Sequence, residues 1–468
     1  MALQGIETII FVMMENRSFD HMLGYLSTAA ANPPMPVDGI RSDPTWLAAH
    51  ANEYNGQTYQ IHPIAPQTQA ILDPPHDEKT IAQQIQTPAQ PGQADGMGGF
   101  VASYMTLNPP PPDPSVVLGY YDQRAVPVFD FLARNFTVCN HWFAALPTGT
   151  QANRLMAMSG ESSIVDNAAV FLPDQKLAYD WLTDHSVSWC AYQSGDFLPF
   201  FSLMPDWLPE ITTSLSGSAL GLRGRFRWYS KFQEHWTGTA TMPQVIFIEP
   251  EYTDGPHADP NDDHPPTGVA KGQAFLADIY NIVVSNPVRW QKTLLIITYD
   301  EHGGFFDHVP PPPIPCTVAG FNFTTAGVRV PAFIVSPYVT PGSVFSGTLD
   351  HTAFLQLVAD RFNSGQTYSA AVAARQPQLA RLASALSDQP MAPGPTIPAN
   401  VIATLNATPQ VATAETPESP GAQANARAMQ NAAAKALADH PELLAGAAWQ
   451  KLTNYLASSA GQQDSPSP

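Results

Sequence analysis

The chain has 468 residues, 44% of them hydrophobic, and carries 21 basic against 40 acidic residues for a formal net charge of −19. That length exceeds a single ordinary core, so one large α/β domain with insertions, or one domain plus a smaller appendage, is expected. The acidic balance disfavours nucleic acid as a partner and offers no polybasic route to an anionic membrane; it leaves the oligomeric state unknown.

Three cysteines, Cys139, Cys190 and Cys316, allow at most one disulfide and show no zinc-ribbon spacing. No apolar run approaches the ~20 residues that span a bilayer, so a soluble or peripheral protein is expected. Met1-Ala2-Leu3-Gln4-Gly5-Ile6-Glu7 lacks a basic n-region and leads straight into a strand, which reads as no signal peptide. The expected location is cytoplasmic, or exported after processing.

Ile9 to Met14 reads as a buried strand ending in the polar cluster Glu15-Asn16-Arg17-Ser18. Residues 31 to 114, rich in Pro, Gln and Asn, read as a long surface excursion of the kind that forms site lids. Further strand-like runs lie at Ser188 to Tyr192, Gln244 to Ile248, Thr293 to Tyr299 and Val330 to Val335. Helical periodicity marks Gly268 to Val284 and His351 to Phe362. Strands alternating with helices predict a largely parallel, mixed sheet flanked by helices. Near Leu386 the composition shifts to Pro, Ala, Gln and Ser. This suggests a catalytic domain over 1–385 and, over 386–468, a linker and helical tail: an alanine-rich helix from Gln423 to Leu456 and a disordered end from Gln462.

The run Thr293 to Tyr299 has no polar alternation, as fits a strand buried on both faces, and the C-terminal ends of such strands are where α/β folds bind ligands. Asp300-Glu301 stands there, and two adjacent carboxylates repel unless a cation or proton lies between them. Gly303-Gly304 then permits a tight turn. Glu15-Asn16 adds a third carboxylate and an amide oxygen. Together these hard oxygen donors suit one divalent cation of the Ca²⁺, Mg²⁺ or Mn²⁺ class. A histidine-containing zinc site drawn from His76, His264, Asp307-His308 and Asp350-His351 is the rival reading.

Pro147 to Arg154 reads as a turn into a helix, with Thr150 near its start. A metal-held threonine at a helix N-terminus is suited to attack phosphorus, with Asn153 and Arg154 donating to phosphate oxygens. The plainer reading makes Thr150 an N-cap worth about 1 kcal/mol. His76 and His264 lie in loops, where they are either ordinary surface histidines or a proton donor and acceptor for a scissile ester. Phe197, Leu198, Phe200, Phe201, Leu203, Trp207 and Leu208 read as core, with an interfacial lip as the alternative.

At these residues the sequence resembles the phosphoesterase family of bacterial phospholipases C, plant non-specific phospholipases C and related acid phosphatases. The similar segments are Glu15 to Gly24, Pro147 to Arg154, Asn261 to Gln273 and Thr293 to Pro310, an ordered set spanning roughly residues 7 to 362. The resemblance implies an alkaline-phosphatase-like fold and a metal-dependent phosphoryl-enzyme mechanism. It makes Glu15, Asn16, Asp300 and Glu301 metal ligands, Thr150 nucleophile and ligand, and His76 and His264 phosphate-site histidines. Ala152 departs from the proline usual there. The implied activity is a phospholipase C acting on glycerophospholipids through a phosphothreonine, with peripheral membrane contact. The alternatives are an acid phosphatase at the same site and a non-catalytic phospholipid- or anion-binding protein.

Overall fold

The computed structural model describes residues 2–88, 96–195, 197–216, 224–255, 259–388, 390, 393–408 and 419–439. Its centre is an eight-stranded sheet of β1 (Thr8–Met14), β2 (Thr137–Cys139), β3 (Trp189–Gln193), β4 (Phe226–Trp228), β5 (Val245–Glu249), β6 (Thr293–Tyr299), β7 (Ala332–Val335) and β8 (Val344–Phe345). The order is β8-β2-β7-β6-β1-β5-β3-β4, and only β7 runs against its neighbours. The expected mixed, mostly parallel sheet flanked by helices is therefore observed.

Burial explains why these segments became strands. All seven residues of β6 are buried, and so are six of the seven in β1. Apolar side chains on both faces need a helix layer on each. On one face, α6 (Thr352–Phe362) stacks Phe354 on Phe11 at 4.1 Å between ring centroids. On the other, α3 (Pro127–Asn135) sets Phe129 against Phe333 at 5.0 Å and Tyr299 at 6.3 Å. The long helix α5 (Val269–Ser285) buries Phe275, Leu276, Ile279 and Val283 in the same core.

Register then fixes where the chemistry falls. Thr8 to Met14 pair residue for residue with Thr293 to Tyr299, so Glu15 and Asp300 leave the sheet side by side at its C-terminal edge. The next elements start there: α1 (Phe19–Leu23), capped by Ser18, and α4 (Thr150–Ser159). The stretch 31–114 is more than a surface excursion: among its described residues Val37, Ile40, Ile64, Phe100 and Tyr104 join the main core, and α2 (Glu78–Gln86) carries Gln84, whose Nε2 donates to Pro75 O at 2.8 Å.

Phe197, Leu198, Phe200, Phe201, Leu203, Trp207 and Leu208 are all buried, so the core reading holds and the lip reading fails. The alanine-rich tail forms α7 (Pro420–Asp439); the rest of the Gln423–Leu456 reading and the disordered end read from Gln462 lie outside the described residues. Its buried stripe, Ala428, Met429, Ala432, Ala433 and Ala436, joins the main core. All three cysteines are free thiols, and among the described residues no helix is long and apolar enough to cross a membrane.

Candidate active site

Two backbone turns bring the oxygen donors together. Asn16 sits at φ 59°, a left-handed conformation that asparagine tolerates better than most residues, and this turns the chain sharply after β1. Gly303 and Gly304 also have positive φ; a Cβ on Gly303 would collide with the Asn16 carbonyl, and one on Gly304 would sit 2.7 Å from Pro74 Cβ. These two glycines let the Glu15-Asn16 turn and the His76 loop close on Asp300-Glu301.

The four expected oxygen ligands are fully buried, and each leaves one oxygen without a hydrogen bond: Glu15 Oε2, Asn16 Oδ1, Asp300 Oδ2 and Glu301 Oε1. Their other atoms are held. Asp300 Oδ1 accepts from the Asn16 and Glu301 N–H groups at 3.2 and 2.7 Å, and Glu301 Oε2 accepts from Gly303 N–H at 2.7 Å. His351 Nε2 donates to the Asp300 carbonyl at 2.6 Å, which fixes the strand end. Burial, with Asp300 and Asp262 adding, raises the Glu15 carboxyl well above its ordinary range against the pull of Arg154. Burial, with Glu301 adding, pushes Asp300 up to about 6. Burial opposes ionisation of Glu301 too, yet His76 and His302 hold it low. Ionising this set together is costly, and positive charge placed beside it lowers that cost.

Arg154 is buried among them. Its Nη2 donates to Glu15 Oε1 at 3.0 Å, its Nε lies 3.5 Å from Asp300 Oδ2, and its guanidinium packs over the Phe200 and Tyr252 rings. Asn153 is occupied likewise: its Nδ2 donates to the Leu146, Thr148 and Gly149 carbonyls, and its Oδ1 accepts from Leu146 N–H. Both residues expected to grip phosphate are thus committed to protein partners here, Asn153 shaping the turn before Thr150 and Arg154 bracing the carboxylates.

Thr150 is the first residue of α4, and Gly149 holds the N-cap position, so the N-cap reading of Thr150 fails. The side chain is 1% exposed at a helix start whose unpaired N–H groups favour negative charge. Ala152 lies in the same first turn, packed in a cluster with Leu146, Met156, Val318 and Phe323.

The two loop histidines meet. The His76 and His264 ring centroids lie 5.9 Å apart, both rings are buried, and Asp73, His76 and His264 have ligand atoms within 4.8 Å of one another. His76 Nδ1 donates to Pro74 O at 2.7 Å, and its Nε2 faces Asn16 Nδ2 at 3.3 Å and Glu301 Oε1 at 4.0 Å. His264 Nδ1 donates to Pro265 O at 2.5 Å, while its Nε2 has no hydrogen bond and lies 3.9 Å from Asp254 Oδ1. Burial works against charge on both rings. Glu301 and Asp73 nevertheless raise His76, and Asp254, Asp73 and Glu15 raise His264 well above the ordinary imidazole value.

Of the remaining members of the zinc-site reading, His351 braces the Asp300 carbonyl and the others have partners of their own; His302, outside that reading, adjoins Glu301. His302 Nε2 donates to Gln84 Oε1 at 2.8 Å, tying the excursion to the β6 end. Asp350 accepts from Thr352 N–H at 2.8 Å and pairs with Arg375. Asp307 and His308 form a second buried group with Asp20. Asp254 was not singled out from sequence; its turn, Tyr252-Thr253-Asp254-Gly255, carries no signal until His264 is seen beside it.

A model of the Phosphoesterase family matches residues 6–364. Non-specific phospholipase C6 of Arabidopsis thaliana is 32% identical over 357 residues, covering 73% of this chain and 63% of the relative. Non-specific phospholipase C1 of the same plant is 32% identical over 372 residues, covering 75% and 65%. Phospholipase C A of Mycobacterium tuberculosis is 29% identical over 420 residues, covering 77% and 73%. The chain thus spans slightly less than two thirds of the length of the plant relatives. Among solved structures, murine ectonucleotide pyrophosphatase/phosphodiesterase 5 aligns at 11% identity and a TM-score of 0.33, over 55% of this chain and 95% of that one.

Proposed function

The chain belongs to the Phosphoesterase family, and from that premise we propose that it is a metal-dependent phospholipase C that cleaves glycerophospholipids through a phosphothreonine at Thr150. The observation that carries this reading is the set of four buried oxygens without a hydrogen bond on Glu15, Asn16, Asp300 and Glu301 beside the His76–His264 pair. Buried polar atoms are almost always satisfied, so four orphans on neighbouring strand ends fit a ligand that supplies positive charge. With Thr150 these residues would hold one divalent cation, and an all-oxygen set suits Ca²⁺, Mg²⁺ or Mn²⁺ better than Zn²⁺. Bound there, the cation supplies charge that favours the ionised threonine hydroxyl and the anionic phosphorus centre.

The chain's own residues divide the remaining work. Thr150 Oγ1 forms a bond to phosphorus while the bond from phosphorus to the diacylglycerol oxygen breaks, and the helix N-terminus stabilises the charge. Neighbouring carboxylates favour the charged form of both histidines, and one of them hands its proton to the departing alkoxide. The resulting neutral imidazole takes a proton from water, which attacks phosphorus and releases Thr150 together with the phosphorylated head group. Arg154 keeps Glu15 and Asp300 in place throughout.

Product analysis on a diacyl phosphatidylcholine and on a simple phosphate monoester tests this reading. Diacylglycerol and phosphocholine are expected, lost with a chelator and restored by a divalent cation. Inorganic phosphate from the monoester with the phospholipid untouched would make the protein a phosphomonoesterase. Tight binding of either without turnover would make it a binding protein.

A further inference from the structure

Both Asp–His pairs of the site are hydrogen-bonded by one distant segment. Asp73 presents Oδ1 toward His76 Nδ1 at 3.8 Å, and its other oxygen accepts from the Ser419 N–H at 3.1 Å. Asp254 presents Oδ1 toward His264 Nε2 at 3.9 Å, and its other oxygen accepts from Asn425 Nδ2 at 3.0 Å. Ser419 and Asn425 flank and begin α7, more than 50 residues beyond the last residue matched by the family model.

Asn425 is fully buried and spends its second polar atom on the nucleophile's neighbour: its Oδ1 accepts from Gln151 Nε2 at 3.0 Å. Gln151 in turn accepts from Ala168 N–H at 2.8 Å, and its own N–H donates to Asn167 Oδ1 at 2.8 Å. Asn167 Nδ2 donates back to the Gly421 carbonyl at 3.2 Å, closing the network onto the start of α7. One amide therefore spans the Asp254–His264 pair and the first turn of α4. Carboxamide geometry suits this task, since it offers a donor and an acceptor side by side without adding charge next to Asp254.

We propose that Asn425 is a positioning residue of the active site. It fixes the Asp254 carboxylate against His264 and the Gln151 side chain against the first turn of α4, so that α7 completes the site rather than merely covering it. The proposal rests on the phosphoesterase reading for its activity readout. It also separates α7 from an appendage whose only contribution is stability. Its role is indirect: Asn425 acts through His264 and through the Thr150 turn, and touches no reacting atom.

A double-mutant cycle on the full chain tests it, with kcat and KM measured alongside melting temperature. Asn425→Leu is expected to lower kcat about 10- to 100-fold, the usual cost of losing a hydrogen-bonding support of a site residue, with KM changed little. Combined with His264→Ala, it should cost less than it does alone, because the route through His264 is already gone and only the route through Gln151 remains. Asn425→Gln, which keeps the amide, should recover more activity than Asn425→Leu. Asn431→Ala is the control, since Asn431 anchors the same helix through the Ala169 carbonyl at 3.1 Å and reaches neither Asp–His pair; it should leave kcat unchanged.

If Asn425→Leu does not fold, Asn425→Ser replaces it in the same cycle. Full additivity with His264→Ala, or equal losses in the Asn425 and Asn431 variants, would overturn the proposal. An inactive wild-type protein would instead overturn the phosphoesterase reading, so the two failures are distinguishable.

Discussion

Two buried charge clusters use the same residue types and reach opposite ends. In the first, Glu15, Asn16, Asp300 and Glu301 lie beside His76 and His264 and leave oxygens without a hydrogen bond. In the second, Asp20, Asp307, His308 and Arg329 leave none. Arg329 donates to Asp307 at 2.9 Å, to Asp20 at 3.2 Å and to the Asp38 and Asn140 carbonyls, with its guanidinium over Phe19 at 4.3 Å. Asp20 also accepts from the His308 N–H and Nδ1 at 2.8 and 2.6 Å. Each cluster contains a buried arginine, but Arg329 and its neighbours hydrogen-bond every carboxylate oxygen of the second, whereas Arg154 leaves oxygens of the first without a hydrogen bond. Unsatisfied valence, rather than acidic composition, separates a site from a strut.

The largest expected effect that would break this comparison is at Thr150. Thr150→Ala should lower kcat by at least about 10³-fold, consistent with removal of a covalent nucleophile, and leave the melting temperature nearly unchanged because Gly149 is the N-cap residue. Near-normal turnover would remove the mechanism. Next comes Arg329→Met, which strands two buried carboxylates and should cost about 3–5 kcal/mol in denaturant unfolding. A loss under about 1 kcal/mol would show that the second cluster is not a strut.

A pH titration of stability sharpens the same contrast. Burial opposes charge on His308, but Asp20 and Asp38 outweigh it and raise the ring to about 9, above its unfolded value near 6.5. The stabilisation is therefore fully present below about pH 6.5 and is lost as pH rises through 9. It should amount to at most about 3 kcal/mol, and His308→Gln should flatten it. Smallest of the four, Ser18→Ala removes a cap that accepts from His21 N–H at 3.2 Å and donates to Phe306 O at 2.6 Å; it should cost about 1–2 kcal/mol.

The sheet was legible in the sequence because its strands announce themselves. Thr293 to Tyr299 is apolar without alternation and formed a strand with those same bounds, and Ile9 to Met14 gained only Thr8. The Gly303-Gly304 turn was legible for the same kind of local reason. Less legible were the partners of side chains with several options. Nothing in the order of residues says that Asn153 turns back onto Leu146 or that Arg154 pairs with Glu15, since both depend on which loops fold over α4. Asn425 was hidden further still, as an amide in an alanine-rich helix more than 270 residues from the Gln151 it supports. Long-range hydrogen bonds of this sort leave no periodicity to read.

Metal stoichiometry in paired variants tests the central claim most directly. Elemental analysis after dialysis against Ca²⁺, Mg²⁺ or Mn²⁺ should find about one divalent ion per chain in the wild type. That ion should be lost in Asp300→Asn, whose orphan oxygen belongs to the first cluster, and kept in Asp307→Asn, whose carboxylate is already paired with Arg329. An ion retained in Asp300→Asn, or lost only in Asp307→Asn, would assign the two clusters the wrong way round.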